Sequence, residues 1–159
     1  VGSEMCIRDR LYAEATQSDA KKVGIKINLK NVDYNVLDGI GVRGEYDLLI
    51  SNILTEQAGD PEVFVNQYWK TNVDGSNPQN GSGYSNPEYD ALSDQLASEF
   101  DPAKRRDIII KMEKIVQDDA ATLIFGYPQT NMVSNKSVQN ANIYPCDYYW
   151  VTKDITPAK

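Results

Sequence analysis

Residues 83–128, GYSNPEYDALSDQLASEFDPAKRRDIIIKMEKIVQDDAATLIFGYP, constrain the fold of this chain more than any other stretch. Two Asx-Pro pairs, Asn86-Pro87 and Asp101-Pro102, each precede an apolar pattern at helical spacing. An Asx side chain accepts from a free N–H at a helix start, and proline suits the first helical position. The first pattern predicts a helix with Tyr89, Leu92, Leu96 and Phe100 on one face. Asp101-Pro102 ends that helix and opens a second by the same chemistry. The second sets Ile108, Met112, Ile115 and Val116 on one face, with Lys104, Arg105, Lys111 and Lys114 mostly elsewhere. Leu123, Ile124 and Phe125, within residues 122–126, read as a strand buried on both faces.

Upstream, residues 11–23 predict a helix ended by Gly24, with Lys21 and Lys22 near the negative end of its dipole. Ile25, Ile27 and Leu29 alternate with polar residues, as in a half-buried strand. Asp33 is suited to cap a short helix carrying Val36, Leu37 and Ile40. Residues 46–51 read as a second, more buried strand. Asp60-Pro61 starts another helix through Phe64, Val65 and Tyr68. Residues 72–82 form a surface loop with turn pairs at Asp74-Gly75 and Asn80-Gly81. Alternating helices and strands imply an α/β layer arrangement. After Tyr127 no helical period persists, and the tail is rich in Asn and Tyr.

Several function classes are excluded or weakened. The net charge of −7 argues against a polyanionic partner, because nucleic-acid binders carry a basic footprint. With no histidine in the 159 residues, Ser-His, Cys-His and His-metal arrangements are unavailable within this chain. There is no glycine-rich phosphate loop. No apolar run approaches the roughly 18 residues that a membrane-spanning helix needs. Cys146 sits in the acidic, Tyr-rich IYPCDYYW, which disfavours a thiolate and suits a small packed residue. Glu56 and Asp60 form a conceivable carboxylate pair, but Asp60 already has a capping task. The chain reads as a non-enzyme that needs no cofactor.

The first ten residues, VGSEMCIRDR, resemble a translated sequencing-library adapter and are set aside from the fold. Without Cys6, Cys146 is the only cysteine left, so no intrachain disulfide is expected. On this reading the chain is a fragment, without its true N-terminus or an export signal.

The order and spacing of GYSNPEYDAL, DPAKRRDIIIKMEKIVQDDA and TLIFGYP resemble the C-terminal part of the extracytoplasmic solute-binding proteins of peptide- and nickel-type ABC importers (family 5). The resemblance continues upstream through KKVGIKINLKNVDYNVL and YDLLISN, and so covers nearly all of residues 11–159. It implies an α/β fold of the type II periplasmic-binding-protein kind. Residues 11–125 would be the C-terminal lobe, a mixed sheet with flanking helices, and 126–159 a return segment to the other lobe.

Loops at the carboxyl ends of strands, near a lobe boundary, are where α/β folds hold binding residues. Here that means the segment after residues 46–51, which lines the ligand cleft in the family. The candidates are Asn52, Leu54, Thr55, Glu56 and Gln57, with Tyr127 at the end of a second strand. Peptide-binding relatives often carry an aspartate a few residues before the Asp-Pro, where this chain has Gln57 beside Glu56. They also often have Trp early in the segment, where this chain has Ile53 and Leu54. The first departure weakens a dipeptide or oligopeptide assignment, and the second weakens aromatic stacking on a ligand.

The implied function is solute capture for an ABC importer outside the cytoplasmic membrane, with a peptide or similar small polar solute as ligand. The expected partners are that ligand and a membrane permease; no nucleic acid is expected, and the full-length protein would be a monomer of the lipoprotein kind. The alternatives are a nickel or metal-chelate binder of the same family and a stand-alone small α/β interaction domain.

Overall fold

A computed structural model describes residues 2–3, 7–51, 53, 60–127, 129, 131–144 and 151–158. Each Asx-Pro pair starts a helix: α3 (Pro61–Trp69), α4 (Pro87–Ser98) and α5 (Pro102–Asp118). Asp60 Oδ1 accepts from the Glu62 N–H at 2.9 Å. Asn86 Oδ1 accepts from Glu88 and Tyr89, and Asp101 Oδ1 from Ala103 and Lys104. Such caps satisfy N–H groups that a helix start would otherwise leave without partners.

Helix α4 packs along α5, and α3 lies against both. Their shared core is Val65, Trp69, Tyr89, Leu96, Ile108, Met112 and Val116, with Leu92 and Ile115 at its margin. The predicted faces of α4 and α5 are therefore largely correct. Phe100 is an exception, at 86% exposed. Helix α4 stops at Ser98, and Glu99 Oε1 accepts from the N–H groups of both Phe100 and Asp101. That local turn swings Phe100 off the face its spacing suggested. On α3 the buried pair is Val65 and Trp69, four residues apart, while Phe64 and Tyr68 pack only at the rim.

The loop between α3 and α4 makes its turn at Asp74-Gly75, both with positive φ. It is more than a surface loop, because Asn80 is only 3% exposed. Asn80 Nδ2 donates to the carbonyls of Lys70 and Tyr84, at 2.9 and 2.8 Å. Asn77 Nδ2 donates to the carbonyls of Asn66 and Lys70. The buried amide of Asn80 and the half-buried amide of Asn77 thus tie the loop to the carboxyl end of α3.

Preceding this three-helix body are β1 (Gly2–Ser3), α1 (Ile7–Lys22), β2 (Asn31–Val32) and α2 (Tyr34–Arg43). Helix α1 begins at Ile7, ahead of the expected residue 11, so Ile7 to Arg10 continue into it without a break. Strands β1 and β2 pair in parallel. Gly24, at φ +83°, follows α1 as expected. Asp33 caps α2, which buries Leu37 and Ile40 but leaves Val36 exposed. Gly81 sits against the carbonyl oxygen of Gly41 so closely that any side chain at 81 would overlap it. Glycine is required there by contact, not by turn geometry.

The expected strands are corrected. Residues 25–29, 46–51 and 122–126 are not strands, and no large mixed sheet forms among the described residues. Instead there are two short ladders: β1 with β2, and β3 (Val138–Gln139) antiparallel to β4 (Thr156–Pro157). A strand exists only through hydrogen bonds to a neighbour, and no described residues supply that neighbour to these three segments. Leu123, expected to be buried, is 73% exposed, and Ile124 and Phe125 are exposed as well.

Candidate functional site

Of the six predicted ligand residues, Asn52, Leu54, Thr55, Glu56 and Gln57 lie outside the described residues, as does Cys146. Tyr127 is described and is 81% exposed. What the structure defines is how the chain is anchored on either side of these candidates.

The 52–59 segment leads into α3 through Asp60, which is more than a helix cap. Arg105 Nη2 donates to both Asp60 carboxylate oxygens, at 3.0 and 2.8 Å, and to Glu62 Oε2 at 2.8 Å. Its Nη1 donates to the carbonyls of Leu96 and Glu99 at the end of α4, at 2.9 and 2.8 Å. One guanidinium, 18% exposed, therefore joins the start of α3, the end of α4 and the first turns of α5. The fork geometry of arginine permits this; an ammonium is a point charge with no such fork. The Glu62 N–H and then Arg105 hold the Asp60 carboxyl below its ordinary pKa. Its hydrogen bonds to the Glu62 and Asp60 carboxylates raise that of Arg105.

The 122–127 segment is anchored at its start. Asp119 and a left-handed Ala120 (φ 51°) close α5, and the Ala121 N–H donates to the Val116 carbonyl. Trp69 Nε1 then donates to Thr122 Oγ1 at 2.9 Å, tying the segment to the carboxyl end of α3. Further on, Phe125 stacks on Tyr12 of α1, with ring centroids 4.9 Å apart and planes 9° from parallel. Near the closure of α5, Tyr84 donates to Asp119 Oδ2 at 2.6 Å and Asn86 Nδ2 donates to the same oxygen. Partial burial and this bond push the Tyr84 hydroxyl up to about 12. The two candidate regions are therefore attached to opposite ends of α3.

Sequence reasoning assigned no role to Arg105 or Trp69. For Arg105 a signal existed. Lys104, Arg105 and Arg106 crowd the first turns of α5, where the helix dipole disfavours positive charge. An arginine retained there requires acidic partners. Nothing in the sequence points to the Trp69–Thr122 bond, which joins residues 53 apart.

Among the described residues no cluster of three or more His, Cys, Asp or Glu side chains could hold a metal ion, and no helix is long and apolar enough to cross a membrane. The arrangement anchors chain; it assembles no nucleophile with a base.

No family model matches the chain. It is 33% identical over 128 residues to the probable D,D-dipeptide-binding periplasmic protein DdpA of Escherichia coli, a match that spans 80% of this chain and 24% of that protein. It is 30% identical over 139 residues to the nickel-binding protein NikA of Staphylococcus aureus, across 87% of this chain and 27% of the relative. The crystal structure of that organism's NikA in complex with Ni(L-His)2 superposes with a TM-score of 0.69, covering 94% of this chain and 31% of the other at 24% identity. The ABC transporter substrate-binding protein CtaP of Listeria monocytogenes matches at TM-score 0.51 and 27% identity, over 68% of this chain and 21% of that one. The fold is thus that of a solute-binding protein, within the α/β class expected. More particularly, the chain is similar in sequence to D,D-dipeptide- and nickel-binding proteins. It spans about a quarter of the length of the curated relatives it matches.

Proposed function

We propose that this chain is part of the substrate-binding component of an ABC importer, which captures a peptide or similar small polar solute outside the cytoplasmic membrane. The observation that carries this reading is the 128-residue match to a D,D-dipeptide-binding periplasmic protein, supported by matches to di- and tripeptide-binding proteins of Pseudomonas aeruginosa. These relatives are named for binding and not for catalysis. On this reading residues 11–125 belong to one lobe and 126–159 return to the other, while residues 1–10, although they reach β2 and α1, take no part in solute binding. The ligand would meet Asn52, Leu54, Thr55, Glu56, Gln57 and Tyr127, and a membrane permease would receive it from a monomeric, lipid-anchored binding protein.

A nickel chelate is the second reading. It is favoured by the 30% identity and the fold shared with a protein solved around Ni(L-His)2. The lack of histidine does not count against it, because a chelate brings its own metal ligands.

A thermal-shift titration of the full-length protein tests both, using D-alanyl-D-alanine, L-alanyl-L-alanine and nickel–histidine. A true ligand stabilises by about 2.7 kcal/mol at a hundredfold excess over its dissociation constant. A shift with either dipeptide alone supports the first reading, a shift with the chelate alone the second. No shift with any of the three counts against both.

A further inference from the structure

We propose that residues 25–30 form an acceptor edge for a further β-strand, filled in the longer protein by an apolar, extended segment that lies directly ahead of α1 and runs parallel to them. That the segment belongs to the same polypeptide rests on the reading of this chain as part of a longer binding protein; the acceptor edge itself does not.

Strands β1 and β2 are parallel with α1 between them in the chain, which makes β1–α1–β2 a βαβ unit. Gly2 stands opposite Asn31 and Ser3 opposite Val32. In a parallel pair the register runs the same way along both strands. Carried back one residue at a time, it sets Val1 opposite Lys30, and every partner of residues 25–29 falls ahead of Val1. The ladder thus stops at Asn31 for want of a second strand, although the residues before it suit one. Ile25, Ile27 and Leu29 alternate with Lys26 and Asn28, the period of a strand with one apolar face.

The segment is already held against α1. The Ile25 N–H donates to the Ala20 carbonyl at 2.9 Å, and Gln17 Nε2 donates to the Ile27 carbonyl at 2.7 Å. Among the described residues no backbone–backbone hydrogen bond reaches residues 26–30. Ile25 is 58% exposed and Leu29 38%, so apolar side chains accompany a backbone without a ladder. Such an edge recruits an extended chain through its main-chain groups, and alternate side chains select which one.

The occupant follows from continuity. Strand β1 holds the next part of this edge, so a strand fills residues 25–30 without a break only if it is covalently continuous with the position of β1. Gly2 and Ser3 have weak strand preference, and they belong to the stretch that resembles adapter sequence. A parallel strand is generally covered on both faces, so the segment that fits is rich in Val or Ile and long enough to span residues 25–29.

The test compares this chain, the chain extended ahead of Val1 by Thr-Val-Thr-Val-Thr, the chain extended by Gly-Ser-Gly-Ser-Gly, and the full-length protein. Amide exchange is read at residues 26–30, exchange at Leu96 and Met112 reports that the three-helix body is folded, and sedimentation gives the mass. Successive N–H groups of a strand point to opposite edges, so a strand added on one side slows every second amide. The Thr-Val extension is expected to slow alternate amides by about tenfold, within the range that separates frayed from paired backbone. The Gly-Ser extension is expected to leave them unchanged, and the full-length protein to slow the same ones. No slowing with Thr-Val, or equal slowing with both extensions, overturns the acceptor edge. Slowing that comes with a doubled mass overturns the occupant in favour of a second copy, and a full-length protein with fast exchange at these amides overturns it outright. If the Thr-Val chain fails to fold, the full-length protein decides alone. The solute-binding reading is judged by the thermal-shift titration, so either can fail without the other.

Discussion

The three-helix body of α3, α4 and α5 and the extended segments at 25–29, 46–51 and 122–126 are both apolar in sequence, yet only the first is buried. Tyr89, Leu96 and Met112 are fully enclosed, whereas Leu123 and Leu48 face solvent. The difference lies in where each element finds its partners. A helix satisfies its backbone within itself, and three that follow one another in the chain can cover one another's faces. A strand's backbone must be satisfied by another strand, which can come from anywhere in the chain. The apolar segments therefore carry the same information as the helices but cannot act on it alone.

Substitutions in the two regions should give opposite results. The largest effect is expected from Met112→Ala, which opens a cavity between α3, α4 and α5 and should cost about 2–5 kcal/mol in chemical denaturation. A loss below about 1 kcal/mol would mean that the body is loosely packed. Next comes Tyr89→Phe. Its hydroxyl donates to the Val65 carbonyl at 2.7 Å in a fully buried position, so removing it should cost about 0.5–1.5 kcal/mol, the net worth of a buried hydrogen bond. Asp101→Ala removes a cap bonded to two N–H groups, and about 1 kcal/mol is expected.

A smaller, pH-dependent effect belongs to Tyr84. Its hydroxyl titrates at about 12 in the fold against an ordinary 10.0. The folded state therefore favours the protonated form. The stability this contributes is fully present below pH 10 and is lost as pH rises towards 12. Melting temperatures taken across that interval should fall less steeply in Tyr84→Phe than in the parent; parallel slopes would remove Tyr84 from the account. The smallest effect is expected from Leu123→Thr, within about 0.5 kcal/mol because the side chain is exposed. A large loss there would show that the extended segments are packed after all, and the contrast between the two regions would collapse.

Legibility from sequence followed the same division. The Asx-Pro starts at Asp60, Asn86 and Asp101 and the faces of α4 and α5 were readable because caps and periodicity depend on residues a few positions away. Phe100 was misread because a side chain one position earlier, Glu99, redirects the chain. Arg105, Asn80 and the Trp69–Thr122 bond escaped because each depends on groups far off in sequence or on backbone carbonyls that every residue possesses. The strand expectations had the right residue types but lacked the pairing that would make them strands. Of the candidate site, only Tyr127 lies within the described residues, so sequence and structure meet there at its flanks, Asp60 and Thr122.

The buried amide of Asn80 has one more consequence, for how the protein ages. Asn80 is followed by Gly81, and an asparagine before glycine is prone to lose its amide nitrogen when the next backbone nitrogen attacks the side-chain carbon. Here the amide nitrogen is engaged by two carbonyls and its oxygen accepts from Ser82, so the attack must wait for the loop to open. Once it happens, a carboxylate replaces the donor and faces the carbonyls of Lys70 and Tyr84, and the loop cannot close as before. Slow covalent conversion at a single position would thus record, as an irreversible count, how often this loop has come undone.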